Sequence, residues 1–287
     1  MWPQIAEILS QALGQPVEIT ATQSVSGGDI NQGYRVDSTA QTLFIKLNRA
    51  DRLAMFAAEF QGLQQIWETQ TIRVPRPLAT GVAGNSSFIA MEWLELGRSQ
   101  PSSWRVMGQQ LAAMHQFRGA TAFGWVQDNT IGSTPQPNPW TNDWIAFWQQ
   151  HRIGFQLELA ERKGARFTAG SELLIAIPEL LADYRPQPSI VHGDLWGGNA
   201  SILADGAPVI YDPAMYWGDR EVDLAMTELF GGFPAEFYAG YEAVWPLDEG
   251  YGRRKLLYNL YHILNHYNLF GGGYAGQADR MMGQLLR

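Results

Sequence analysis

One run of eight residues constrains this chain more than any other: His192-Gly193-Asp194-Leu195-Trp196-Gly197-Gly198-Asn199. Its three glycines suit neither a helix nor a ladder strand, so it reads as a turn. Runs with β character flank it at 190–191 and 201–203, and a third run at 209–212 returns from a turn at Asp205-Gly206. The turn can set Asp194 and Asn199 on one side, and the returning hairpin brings its last residue, Asp212, round to face them. A chain that builds such an island among helices belongs to a mixed α+β class.

The rest of the sequence sorts into two parts. Ile5, Ile8, Leu9, Ala12 and Leu13 recur at helical spacing until Gly14 and Pro16 stop them. Residues 17–23, 33–37 and 42–47 have β character, and the polar segment 38–41 joins the last two as a hairpin. Leu53, Phe56, Ala57, Phe60, Leu63 and Trp67 predict a helix over 51–68. Val74-Pro75-Arg76-Pro77 reads as an extended connector and 87–94 as a strand. Residues 1–94 thus read as a small lobe of antiparallel sheet plus one long helix. Residues 95–287 read as a larger helical lobe, with helices over 104–116, 140–163, 171–183 and 253–269 and a loop over 123–139.

Asp, Asn and a second Asp are the set that phosphoryl transfer requires. One carboxylate orients the acceptor hydroxyl and takes its proton, while an amide and another carboxylate hold Mg²⁺ on the phosphates. Those roles fall to Asp194, Asn199 and Asp212. The same residue types are ordinary turn formers, so the octapeptide alone does not decide. Lys46 lies in Leu43-Phe44-Ile45-Lys46-Leu47, an apolar strand where an unpaired ammonium is costly. Glu59 falls at the edge of the next helix's apolar stripe. Paired, the two aim Lys46 at the phosphates; the alternative is that both snorkel to water. Upstream, Gly27 and Gly28 sit in a turn whose backbone N–H groups can cradle phosphates. Downstream, Glu92, Trp93, Leu94 and Glu95 end the last strand of the first lobe, where hinge backbone can pair with adenine. This order of parts is that of a bilobal protein-kinase-like fold using ATP and Mg²⁺. The pattern G-x-x-x-x-G-K-[ST] occurs nowhere, which closes the P-loop route.

Composition narrows the setting. The chain has no cysteine, which excludes disulfides, thiolate metal sites and a cysteine nucleophile, and suits a reducing cytoplasm. Its net charge of −8 comes without any Lys/Arg run longer than three residues, so neither nucleic acid nor a membrane surface is an expected partner. No leader or membrane span is evident, and a cytoplasmic monomer is expected.

With these segments the chain resembles the fructosamine kinases (ketosamine-3-kinases), relatives of aminoglycoside and choline kinases. The resemblance covers nearly the whole chain. It rests on Ser26-Gly27-Gly28, residues 192–199, Asp212-Pro213-Ala214, and residues 152–160 and 216–225. Trp196 within the octapeptide, together with the Asp-Pro-Ala tripeptide, sets it apart from aminoglycoside kinases. The resemblance implies ATP-dependent phosphorylation of the sugar 3-hydroxyl of a free or protein-bound ketosamine, after which the adduct falls apart and frees the amine. It also implies that Asp223 braces the catalytic loop. Some members carry a cysteine in the glycine turn that can form an intersubunit disulfide; Asp29 stands here, so such thiol control is impossible. Trp196 lies beside any acceptor. His262 and His266, four apart on a predicted helix, are expected to line the acceptor pocket. They lack the Glu and the third ligand of a zinc site. Two alternatives stay open: a kinase of this fold for an aminoglycoside, choline-like alcohol or free sugar, and a non-catalytic nucleotide-binding protein.

Overall fold

Helix α1 (Trp2–Leu13) is followed by β1 (Ile19–Val25), β2 (Gln32–Ser38), β3 (Thr42–Arg49), α2 (Leu53–Glu68), β4 (Pro77–Ala83) and β5 (Ser86–Glu92). The computed structural model describes residues 1–25 and 30–287, so the expected phosphate cradle at Gly27 and Gly28 lies outside the described residues. The five strands form one antiparallel sheet in the order β1-β2-β3-β5-β4. Strand alternation explains how β3 carries a lysine. Leu43, Ile45 and Leu47 face a small core shared with Ile5 and Leu9 of α1 and with Phe88 and Ala90 of β5. Phe44 and Lys46 take the opposite face, where Phe56, Leu63 and Ile66 of α2 pack with Ile89 and Met91. That second face is continuous with the core of the helical part.

The strand β4 is a difference from the sequence reading, which has only a connector there. Pro77 is tolerated because β4 is an edge strand and Pro77 its first residue.

The chain leaving β5 is tied to the rest by Gly97 N–H donating to Ile202 O (2.8 Å) and Ala204 N–H donating to Glu95 O (2.9 Å). After α3 (Pro101–Gln116), the stretch read as loop contains a hairpin, β6 (Asn129–Ile131) with β7 (Thr134–Gln136). Next come α4 (Trp144–Trp148) and α5 (Phe155–Arg162), joined by a π-helical turn, and then α6 (Gly170–Leu180). Asp143 caps α4 by accepting from the N–H groups of Ile145 and Ala146, so this helix begins at 144 rather than 140. The β island consists of β8 (Ser189–Val191), β9 (Ala200–Ile202), β10 (Pro208–Ile210) and β11 (Tyr216–Gly218). It forms two separate pairs, β9 with β10 and β8 with β11. The chain ends in α7 (Glu221–Leu229), α8 (Ala235–Glu242), α9 (Tyr251–Phe270) and α10 (Tyr274–Leu285). Every residue of α7 from Glu221 to Thr227 is buried, so no amphipathic stripe announces it.

Candidate active site

The loop of residues 192–199 leaves β8 at His192 and is fixed from beneath. Gly193 takes φ +81°, and a Cβ there would lie 2.2 Å from Ala214 O, so only glycine fits. Asp223, fully buried on α7, accepts from His192 N–H (2.7 Å) and Gly193 N–H (2.8 Å). It accepts also from His115 Nε2 (3.1 Å), whose Nδ1 meets Tyr241 Oη at 2.8 Å. Burial alone would push Asp223 up, but His115, His192 and the loop N–H groups hold it below the usual carboxylate range. His192 Nε2 donates to Tyr211 O (2.9 Å) while its Nδ1 accepts from Asp194 N–H (3.3 Å). That pattern fits a neutral ring, and burial lowers the His192 pKa in the same sense.

Asp194 is half-buried on the cleft floor. Burial and then the charge of Asp212 raise its pKa well above the usual carboxylate range, against a smaller lowering by Asn199. A carboxylate so raised is a better proton acceptor for a hydroxyl than an ordinary one. Asn199 turns its amide nitrogen inward, donating to Asp194 O (2.8 Å) and Oδ2 (3.3 Å). Its Oδ1 is left without a donor among the described residues.

Asp212 follows β10 with φ +60°, a conformation that costs a residue with a side chain about 1–3 kcal/mol. Lys46 Nζ bridges Glu59 Oε1 (2.6 Å) and Asp212 Oδ1 (2.5 Å). The expected Lys46–Glu59 pair is present, and Asp212 joins it. Burial would lower the Lys46 pKa, yet the two carboxylates hold it well above its ordinary value. Among the described residues no cluster of three His, Cys, Asp or Glu side chains could hold a metal unaided. The hard oxygens Asp212 Oδ2 and Asn199 Oδ1 nonetheless suit Mg²⁺, which keeps water and phosphate oxygens as its other ligands.

One cleft of about 270 Å³ gathers Lys46, Glu59, Asp194, Trp196, Asn199, Asp212 and His266. Seven of the residues singled out in the sequence therefore meet in one place. A model of the fructosamine kinase family matches residues 1–287, the whole chain. The chain belongs to the fructosamine kinase family. A probable ketoamine kinase of Synechocystis is 55% identical over 286 residues, spanning 100% of this chain and 97% of the relative. A chloroplastic protein-ribulosamine 3-kinase of Oryza sativa is 41% identical, spanning 96% of this chain and 81% of the relative. The crystal structure of a putative fructosamine-3-kinase from Haemophilus somnus superposes with a TM-score of 0.94 at 33% identity, covering 100% and 98% of the two chains. An aminoglycoside phosphotransferase in ternary complex with AMP-PNP and hygromycin B shares the fold, with a TM-score of 0.67 at 15% identity over 99% and 98% of the chains. The α+β, kinase-like fold and the ATP-dependent phosphotransferase activity follow from family and architecture together.

Other expected site residues of this fructosamine kinase lie apart from the cleft lining. His262 is buried, only 3% exposed, and burial pushes its pKa down to about 3. It lies one turn beneath His266, whose Nδ1 donates to His262 O (2.8 Å). Glu92 points away from the cleft to Arg73 (2.7 Å) and to the N–H of Arg76 (2.7 Å). The N–H groups of Glu92 and Trp93 donate to Arg76 O and Thr42 O, and Trp93 Nε1 donates to Glu95 Oε1. Leu94 N–H has no acceptor among the described residues. The sequence reading misses Thr130, Ile131 and Gly132, which line the cleft from the β6–β7 turn. Their signal was local: β-branched residues on both sides of Gly132-Ser133 mark a two-residue hairpin.

Proposed function

We propose that this fructosamine kinase moves the terminal phosphoryl group of ATP onto the 3-hydroxyl of a ketosamine, a sugar adduct of a free or protein-bound amine. The hydroxyl oxygen attacks phosphorus, the bond to the ADP oxygen breaks, and Asp194 takes the hydroxyl proton. The observation that carries this reading is the convergence of Asp194, Asn199, Asp212 and Lys46 on one cleft that also holds Trp196. Lys46, kept cationic, neutralises phosphate charge, and Glu59 holds it there. Asn199 and Asp212 hold Mg²⁺, which spreads the negative charge of the phosphates when bound. Leu94 N–H supplies the hinge donor for adenine within Glu92–Glu95. Trp196 covers the sugar with its indole face, with His266 opposite and His262 setting His266 from below. The ribulosamine named for the rice relative supports ketosamines of both five- and six-carbon sugars as acceptors.

The lobes meet, on this reading, at residues 94 and 95, and the enzyme works in the cytoplasm as a monomer. Among the described residues no helix is long and apolar enough to cross a membrane. A coupled ADP-release assay with Mg·ATP tests the acceptor class directly. Turnover is expected with ribulosyl- and fructosyl-lysine and none with kanamycin-like compounds or choline. Turnover on an aminoglycoside or choline, with none on any ketosamine, would end the reading.

A further inference from the structure

The left-handed backbone of Asp212 persists only if both of its flanks are fixed. On the N-terminal side, Tyr211 N–H donates to Asn199 O (3.0 Å) and Tyr211 O accepts from His192. On the C-terminal side Pro213 has no N–H to bond, and the backbone is held instead at the carbonyls of Ala214 and Met215. Both are held by amide side chains of the β6–β7 hairpin. Gln136 Nε2 donates to Ala214 O (3.0 Å), and Asn129 Nδ2 donates to Met215 O (2.8 Å).

These amides are locked in turn. Gln136 Nε2 and Asn138 Nδ2 each donate to Asn129 Oδ1 at 2.8 Å. Tyr261 Oη donates to Gln136 Oε1 (2.7 Å), and Arg152, wholly buried in the π-helical turn, donates to Asn138 Oδ1 (2.7 Å). The opposite end of the hairpin reaches the cleft mouth. Gly132 has φ +60°, and a Cβ there would lie 3.1 Å from Leu269 Cδ1 and 3.2 Å from Ile30 Cδ1. One small hairpin therefore runs from the mouth of the cleft to the backbone that follows Asp212.

We propose that the β6–β7 hairpin sets the geometry of Asp212, with Gln136 and Asn129 as its positioning residues. The proposal rests on the reading of Asp212 as a metal-holding carboxylate. Loss of the amide donors frees the Ala214 and Met215 carbonyls, relaxes the strained residue and spoils its aim, while Lys46 and the hinge still hold the nucleotide.

The test is Mn²⁺ affinity of the enzyme·ATP complex, measured by electron paramagnetic resonance, beside ATP affinity in EDTA by calorimetry. Gln136→Met keeps side-chain length and loses the donors, so Mn²⁺ binding is expected to weaken about tenfold, the worth of one buried hydrogen bond. Metal-free ATP affinity stays within about twofold, a split that a merely structural loss would not give. Tyr261→Phe removes only the outer bond and should weaken Mn²⁺ binding about threefold. Unchanged Mn²⁺ affinity in folded Gln136→Met, or an equal loss with and without metal, overturns the proposal. Should Gln136→Met not fold, Tyr261→Phe decides, and unchanged affinity there overturns it. Asp212→Ala, run in parallel, separates the two claims. If it too leaves Mn²⁺ affinity unaltered, the metal reading of Asp212 fails and the clamp falls with it. If it weakens binding and Gln136→Met does not, only the clamp fails.

Discussion

The two ends of the cleft are built in opposite ways. At the proposed phosphoryl end the side chains are cross-tied: Lys46 lies between Glu59 and Asp212, and buried Asp223 holds the loop beneath Asp194. At the end proposed for the acceptor Trp196 is 41% and Phe270 58% exposed, and Ile30 and Leu269 join them. His266 there packs with tilted rings, centroids 4.8–5.6 Å apart, against Phe230, Phe270 and Tyr274, and burial lowers its pKa, so it too is uncharged. A rigid, cross-tied end suits a reaction whose catalysis is positioning and charge stabilisation. An open, apolar and uncharged end suits acceptors that share a sugar and differ in the amine attached to it. Substitutions at the first end should therefore fall on turnover, and those at the second on acceptor affinity.

Asp194→Asn is the severest way to break this comparison. It should cost about 10²–10⁴-fold in kcat, the worth of a positioned base, while calorimetry still shows ATP binding. Retention of more than about a tenth of wild-type kcat would remove Asp194 from its role. Lys46→Met strikes the same end and leaves Glu59 buried without its cation, a change that costs about 3–5 kcal/mol in other proteins. Chemical denaturation should show that Glu59→Gln in the same chain recovers part of the loss, a coupling of about 1–3 kcal/mol. Simple additivity would mean that the pair is not a unit.

Trp196→Ala sharpens the other side. It should raise KM for the ketosamine by up to about tenfold, in line with ~0.5–1.5 kcal/mol for an aromatic contact, and leave KM for ATP nearly unchanged. A kcat effect without a KM effect would place the indole at the phosphoryl end. An effect on stability alone concerns His262, beneath His266. Its folded pKa of about 3 lies below the unfolded value of ~6.5, so its contribution to stability is present above that value and is lost as pH falls toward 3. His262 should thus account for about 2 kcal/mol of the stability lost between pH 7 and pH 5. Thermal melts of His262→Gln should fall less steeply over that interval; parallel slopes would mean that the imidazole is not buried in neutral form.

The same contrast governs what could be read from the sequence. The phosphoryl end is written in contiguous or strongly patterned residues: the octapeptide with Asp212 after it, a lysine in an apolar strand, and a glutamate on a helix stripe. Much of the first sheet and its helix was legible too, since β3 is an apolar run and α2 follows helical spacing. The acceptor end comes from scattered places, Ile30, Gly132 and Leu269 among them, none of which carries chemistry in its residue type. α7 escaped because a helix buried on all sides has no stripe. The β6–β7 hairpin escaped because its three-residue strands are too short for a period, and Pro135 within one of them argues for loop. His262 is the instructive case. Four-residue spacing puts it on the same helix side as His266, but that side faces the cleft only over its last turn.

The most direct test of the central claim is phosphorus–proton NMR of the product formed from Mg·ATP and fructosyl-lysine. The account predicts one phosphomonoester coupled to the proton on sugar carbon 3, absent from a parallel reaction with Asp194→Asn. Phosphate on another sugar hydroxyl, or the same product from Asp194→Asn at undiminished rate, would contradict it.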